Sequence, residues 1–200
     1  MKKKVRTKRD EILYAAWGLF ESQGYHATGI NQIISESGVP KGSFYHYFPE
    51  GKEGLALEAI DAIGEGMIEG VRAACATRDD VVEGIVSLLQ IIATKLDETE
   101  YRHGGPLTIV SLETATTNER INAACRSAYH GVQAELVKKL IQGGFTESDA
   151  RDLSTTIVAS LEGGILLSRA FHSTEPMEQT ARQLHNLLSE RRRSATIANN

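Results

Sequence analysis

From residue 8 onward, apolar residues recur every three or four positions and alternating runs are nearly absent, a spacing that predicts helices and no sheet. About nine helices follow from this pattern and its punctuation, making the expected fold class all-α. The first should cover residues 8–23, with Ile12, Ala16, Leu19 and Phe20 on one stripe and Gly24 placed to end it. Thr28 is the expected N-cap of a second, short helix that buries Ile30, Ile33 and Ile34 and stops at Gly38, a residue that enters left-handed backbone cheaply. The turn "GVP" leads into a third helix of about two turns, residues 41–48. At about 100° per residue, Phe44 and Phe48 stack and can close a small core with Ile33, Ile34 and Phe20. Lys41, Gly42, Ser43, Tyr45, His46 and Tyr47 then point largely elsewhere.

Further along, a helix over 52–76 carries glycines at 64, 66 and 70, which lower helicity and make bending plausible. Another is expected over 80–97, with Val81, Ile85, Leu88, Leu89 and Ile92 inward. "HGGP" marks a loop before a short helix over 107–116, and Asn118 can cap the next, which reaches Gln142. Thr146 with Asp149 three residues on is a capping arrangement for a helix ending near Phe171, and "STEP" starts the last one. The tail "ERRRSATIANN" reads as disordered. The expected division is 1–53, 54–190 and a tail over 191–200.

Composition narrows the class. At 200 residues, 41% hydrophobic and 24% charged, the chain is that of an ordinary folded protein of one or two domains. It has no apolar run near the ~20 residues of a membrane span, and "MKKKVRTKRD" precedes a mixed amphipathic segment instead of a signal-peptide core. A cytoplasmic protein without membrane contact is expected. Cys75 and Cys125 lie far apart, outside any Cys-x-x-Cys or His cluster, so neither zinc nor a disulfide framework is indicated. The paired Glu-x-x-His motifs of helical metal sites are absent, as are a Gly-rich phosphate loop and a nucleophile elbow. An enzyme and a cofactor are therefore not expected. Charge is divided unevenly: residues 1–52 carry eight Lys/Arg against five Asp/Glu, the rest 14 against 21. A basic head on an acidic body suggests that only the head meets a polyanion.

A helix, a second short helix, a four-residue turn with Gly and a third short helix have the order of a helix-turn-helix, whose last helix can enter the major groove. Lys41 and His46 would donate hydrogen bonds, the tyrosine hydroxyls would reach phosphates, and Gly42 would let the backbones approach. Periodicity alone fits equally a solvated helix hairpin in which Tyr45 and Tyr47 cover the edge of the core.

The segment "ILYAAWGLFESQGYHATGINQIISESGVPKGSFYHYFPEGKEGLALEAI", residues 12–60, resembles the amino-terminal DNA-binding domain of the TetR family of transcriptional regulators. The match comprises a helix ending in Phe-x-x-x-Gly-Tyr, a Thr opening the next, Gly-Val, and Lys-Gly-Ser-x-Tyr-x-Tyr-Phe followed by Lys-Glu-x-Leu. The resemblance implies that Lys41, Gly42, Ser43, Tyr45 and His46 face the major groove, with Asn31 on the second helix a further contact. Thr28 and Tyr47 would lie on phosphates, and Lys52 would hold one at the start of the fourth helix. One residue more than usual separates Phe48 from Lys52, which shifts that lysine. This insertion, "HGGPLTIVSLETATTNERINAAC" and "ASLEGGILLSRAF" are similar to the LmrA/YxaF branch of the family.

For the rest of the chain the resemblance implies a helical ligand-binding and dimerisation bundle. A small, mostly apolar effector would bind among Tyr101, His103, Val110, Glu113 and Tyr129. A homodimer would form through Leu153, Ile157, Leu161, Gly164 and Phe171 with Leu184, Leu187 and Leu188, residues for which ordinary packing within one chain is the competing reading. Two heads related by a two-fold axis would read a palindromic operator in double-stranded DNA, giving the specificity that one short helix lacks. The function implied is a ligand-released repressor. The alternatives are a regulator that senses oxidants through Cys75 or Cys125, and a helical adaptor that has lost DNA binding.

Overall fold

The structure, a computed structural model, describes residues 7–102 and 104–198. Nine α-helices and no strand occur among them. They are α1 (Lys8–Gln23), α2 (Ile30–Ser37), α3 (Lys41–Tyr47), α4 (Gly51–Ala76), α5 (Val81–Glu98), α6 (Pro106–Thr114), α7 (Glu119–Gln142), α8 (Glu147–Phe171) and α9 (Glu175–Ala198). Most ends are set by local chemistry visible in the sequence. Thr7 and Asp10 form a reciprocal capping box before α1, and the Asp80 side chain accepts the backbone N–H of Val82 to start α5. Asn118 accepts the N–H of Ile121 at the start of α7, and Thr146 that of Asp149 at the start of α8. Gly24, at φ 87°, ends α1, and Gly38, at φ 64°, ends α2.

Two expectations need correction. The cap of α2 is Gly29, not Thr28, and no side chain bonds the first turn there. The last helix continues to Ala198 where a disordered tail is expected from residue 191; Asn199 and Asn200 lie outside the described residues. The expected division at residue 53 falls inside α4, which runs unbroken from Gly51 to Ala76. By spatial contact the chain forms one compact unit from Met1–Ile63 with Pro106–Ser127, and another from Gly64–Gly105 with Ala128–Asn200. Sequence order hides this arrangement, since the contacts that join α6 to α1 span about ninety positions.

In the first unit the buried side chains include Ile12, Ala16 and Phe20 of α1, Ile33 of α2, Phe44 and Phe48 around α3, Leu55 and Ile60 of α4, and Leu107 and Val110 of α6. The Phe44 and Phe48 rings stand 5.9 Å apart. The second unit has one larger apolar cluster, to which α5 gives Ile85, Leu89 and Leu96, α7 gives Leu136 and Leu140, α8 gives Leu153, Ile157 and Ile165, and α9 gives Met177, Leu184 and Leu188. At Gly164 an added Cβ would stand 3.2 Å from the Met177 sulfur, so this glycine lets α8 lie close on α9 of the same chain. No helix among the described residues is long and apolar enough to cross a membrane.

Candidate nucleic-acid interface

Helix α3 is short because Pro40 precedes it and Phe48 ends it, yet its few residues divide sharply. Pro40 supplies the carbonyl that receives the N–H groups of Ser43 and Phe44. Phe44 is fully buried and anchors the helix. Lys41, Gly42, Tyr45 and His46 are exposed, while Ser43 and Tyr47 are half-buried. At about 100° per residue, Lys41, Tyr45, Gly42, His46 and Ser43 occupy a continuous arc of about 200° opposite Phe44. That arc offers an ammonium, an imidazole and two hydroxyls, with a bare backbone at Gly42, the groups that bond base edges and phosphates. Asn31 of α2 is also exposed.

Two residues expected on phosphates have hydrogen-bond partners within the α1–α2 turn. Thr28 is buried; its hydroxyl donates to the Gly24 carbonyl at 2.7 Å and accepts from Gln23 Nε2 at 3.2 Å. Its one hydroxyl proton is therefore used inside the α1–α2 turn. Lys52 folds under the same turn, donating from Nζ to the carbonyls of Tyr25 at 3.0 Å and Thr28 at 2.9 Å. Its ammonium also lies 4.3 Å from the centre of the Tyr25 ring. Burial pushes the Lys52 pKa down from the usual lysine range, and the negative charge of Glu113 partly opposes that. The additional residue before Lys52 is accommodated by Gly51, at φ 66°, whose N–H bonds the Phe48 carbonyl at 2.9 Å. Nearby, Arg120 pairs with Glu50 and Glu53, covering the acidic charge that follows α3.

The expected effector residues are divided between the units. Val110 and Glu113 belong to the first, Tyr101 and Tyr129 to the second, and His103 lies outside the described residues. Val110 is buried, and the Glu113 carboxylate already accepts the backbone N–H of His26 at 3.0 Å. The Tyr101 hydroxyl bonds Asp97 and that of Tyr129 bonds Glu162. Two surface grooves of the second unit, of about 740 Å³ between α5 and α9 and about 570 Å³ between α8 and α9, are lined by none of the five. Burial is the largest influence on both thiols and raises the pKa of Cys75 and of Cys125, against the smaller opposing effects of Lys139 and of Ser111, which disfavours the reactive thiolate at each.

The expected dimer stripe is largely a core stripe. Leu153, Ile157, Gly164, Leu184 and Leu188 are buried within the second unit, Leu161 and Leu187 are partly buried, and of the set only Phe171 is well exposed. Besides Phe171, the exposed apolar residues of α8 are Leu166 and Leu167, which lie outside the expected stripe, and Ser160, Gly163, Leu167 and Leu187 line the α8–α9 groove. Likewise Gln23, Tyr25 and His26, which organise the α1–α2 turn, carry no spacing signal, because some of their partners are dozens of residues away.

Comparison with known proteins finds matches to both halves of the chain. Residues 12–59 match bacterial regulatory proteins of the tetR family, and residues 81–183 match the C-terminal domain of LmrA/YxaF-like transcriptional regulators. The HTH-type transcriptional regulator YxaF of Bacillus subtilis is 38% identical over 183 residues, 92% of this chain and 96% of that protein. The HTH-type transcriptional regulator LmrA of the same organism is 39% identical over 180 residues, 90% of this chain and 96% of its own length. In fold, a TetR transcriptional regulator from Legionella pneumophila superposes with a TM-score of 0.83 at 18% identity, covering 92% of this chain and 99% of that one.

Proposed function

Because the chain belongs to the TetR family of transcriptional regulators, in its LmrA/YxaF-like branch, we propose that it is a cytoplasmic repressor that binds a palindromic operator as a homodimer and leaves it when a small, mostly apolar effector binds. The observation that carries the reading is the face of α3: a buried phenylalanine on one side and an uninterrupted arc of Lys41, Tyr45, Gly42, His46 and Ser43 on the other. These five face the major groove, with Asn31 and Tyr47 on the flanking phosphates. The second copy docks on the outward side of α8 and α9, where Leu166, Leu167 and Phe171 leave apolar surface in water. Effector binding lowers DNA affinity only as far as it favours the spacing of the two heads that does not fit the operator.

The test is a mobility shift with the duplex DNA flanking the protein's own gene, at two salt concentrations, with Tyr45→Ala as control. Tight binding that protects a palindrome, weakens with salt and fails for Tyr45→Ala is expected. Equal binding of all duplexes by wild type and variant overturns the proposal.

A further inference from the structure

The turn between α1 and α2 is held from outside α1, α2 and α3 on two sides. Lys52 of α4 takes its carbonyls, at Tyr25 and Thr28. Glu113 of α6 takes its other side with two separate atoms. The Glu113 carboxylate accepts the backbone N–H of His26 at 3.0 Å, and the Glu113 carbonyl faces His26 Nε2 at 3.2 Å. Since a carbonyl can only accept, that contact places the imidazole proton on Nε2. Thr117, whose hydroxyl also donates to the Glu113 carbonyl, closes the group at 3.3 Å from the same ring nitrogen. The fit depends on Gly24: its φ is 87°, and a Cβ there would lie 2.1 Å from Glu113 Oε1. Neither Glu113 nor His26 lies on the arc of α3.

We infer that Glu113 is a positioning residue for DNA binding: its two-point grip on His26 sets the α1–α2 turn, and through it the start of α2 and the aim of α3. This rests on the reading of α3 as the DNA-contacting helix. The grip is exposed at His26, where water can replace the lost bond, so its removal disturbs orientation more than it disturbs folding.

The full-length protein with Glu113→Ala or Glu113→Gln is titrated with duplexes that the wild type enriches from a random-sequence pool, while amide exchange at His26 and thermal unfolding are followed in parallel. Glu113→Ala is expected to bind those duplexes about tenfold more weakly and to exchange the His26 amide about tenfold faster, with a melting point close to wild type. Glu113→Gln keeps an acceptor oxygen and should restore both readouts to within about threefold. Gly24→Ala should weaken binding in its own right, and adding Glu113→Ala should return part of that loss by removing the clash. Wild-type-like binding by Glu113→Ala, or a glutamine variant as impaired as the alanine one, overturns the inference and leaves the DNA-binding reading intact. A wild type that enriches no duplex overturns the DNA-binding reading and this role with it, and the exchange data then report only on the turn.

Discussion

Helices α3 and α8 make an instructive pair. In α3 a single buried ring, Phe44, anchors seven residues, and the outward arc is made of donors and hydroxyls. In α8 the inward stripe of Leu153, Ile157 and Ile165 is apolar, but Leu166, Leu167 and Phe171 on other sides are apolar too. A helix with one apolar side tells the reader which way it faces. A helix with two does not, because the hydrophobic effect has no direction and rewards either side equally. The head therefore shows its working surface through chemistry, whereas the α8 surface emerges only after the core has claimed its share.

The largest test of this contrast removes the inward anchors. Phe44→Ala should cost about 3–5 kcal/mol in the first unit, and Leu188→Ala about 2–5 kcal/mol in the second, read by denaturant unfolding. If Phe44→Ala were mild, α3 would not be anchored as described. Lys52→Ala comes next: loss of the bonds to Tyr25 and Thr28 should lower stability by about 1–3 kcal/mol without DNA present, and the salt dependence of DNA binding should keep its slope. A flattened slope at unchanged stability would return Lys52 to a phosphate. On the outward side, Tyr45→Ala should leave unfolding unchanged and weaken operator binding by about 1–3 kcal/mol, roughly fivefold to 150-fold. Leu167→Glu should likewise spare the fold of the chain and shift sedimentation from dimer toward monomer, since it puts a charge on the surface assigned to the second copy.

The smallest expected effect concerns acid. Glu135 is buried, and its hydrogen bond to Arg72, at 3.1 Å, holds its pKa below the ordinary glutamate value of 4.5. A depressed folded pKa means stability that is present above the unfolded pKa and is lost as pH falls through the folded one. Unfolding followed from pH 6 down to about pH 3 should therefore show a loss that is shallower in Arg72→Met. Equal slopes would remove this pair from the acid response.

Much of the first unit was legible. Gly24 and Gly38 end α1 and α2 where a left-handed or open backbone is needed, and Phe44, Phe48 and Ile33 are buried as their spacing requires. The outward residues of α3 follow from the same spacing, since a helix of two turns with one buried ring leaves them nowhere else to point. The capping role expected of Thr28 falls to Gly29, because a threonine before a helix has the same pattern whether it caps that helix or, as here, bonds backward to Gly24. Glu113 is expected among effector residues, and no local spacing points to its bond with His26, 87 residues away.

The sequence by itself determined that the chain is all-α, where most helices begin and end, and which side of α3 faces out, because caps, glycines and a 3.6-residue repeat act over a few positions. Only the tertiary structure decided that α6 joins the head, that Lys52 and Thr28 serve the α1–α2 turn, and that the leucines of α8 and α9 are mostly core. Those outcomes depend on which distant group comes within about 3 Å of which, and that distance is set by the packing of whole helices.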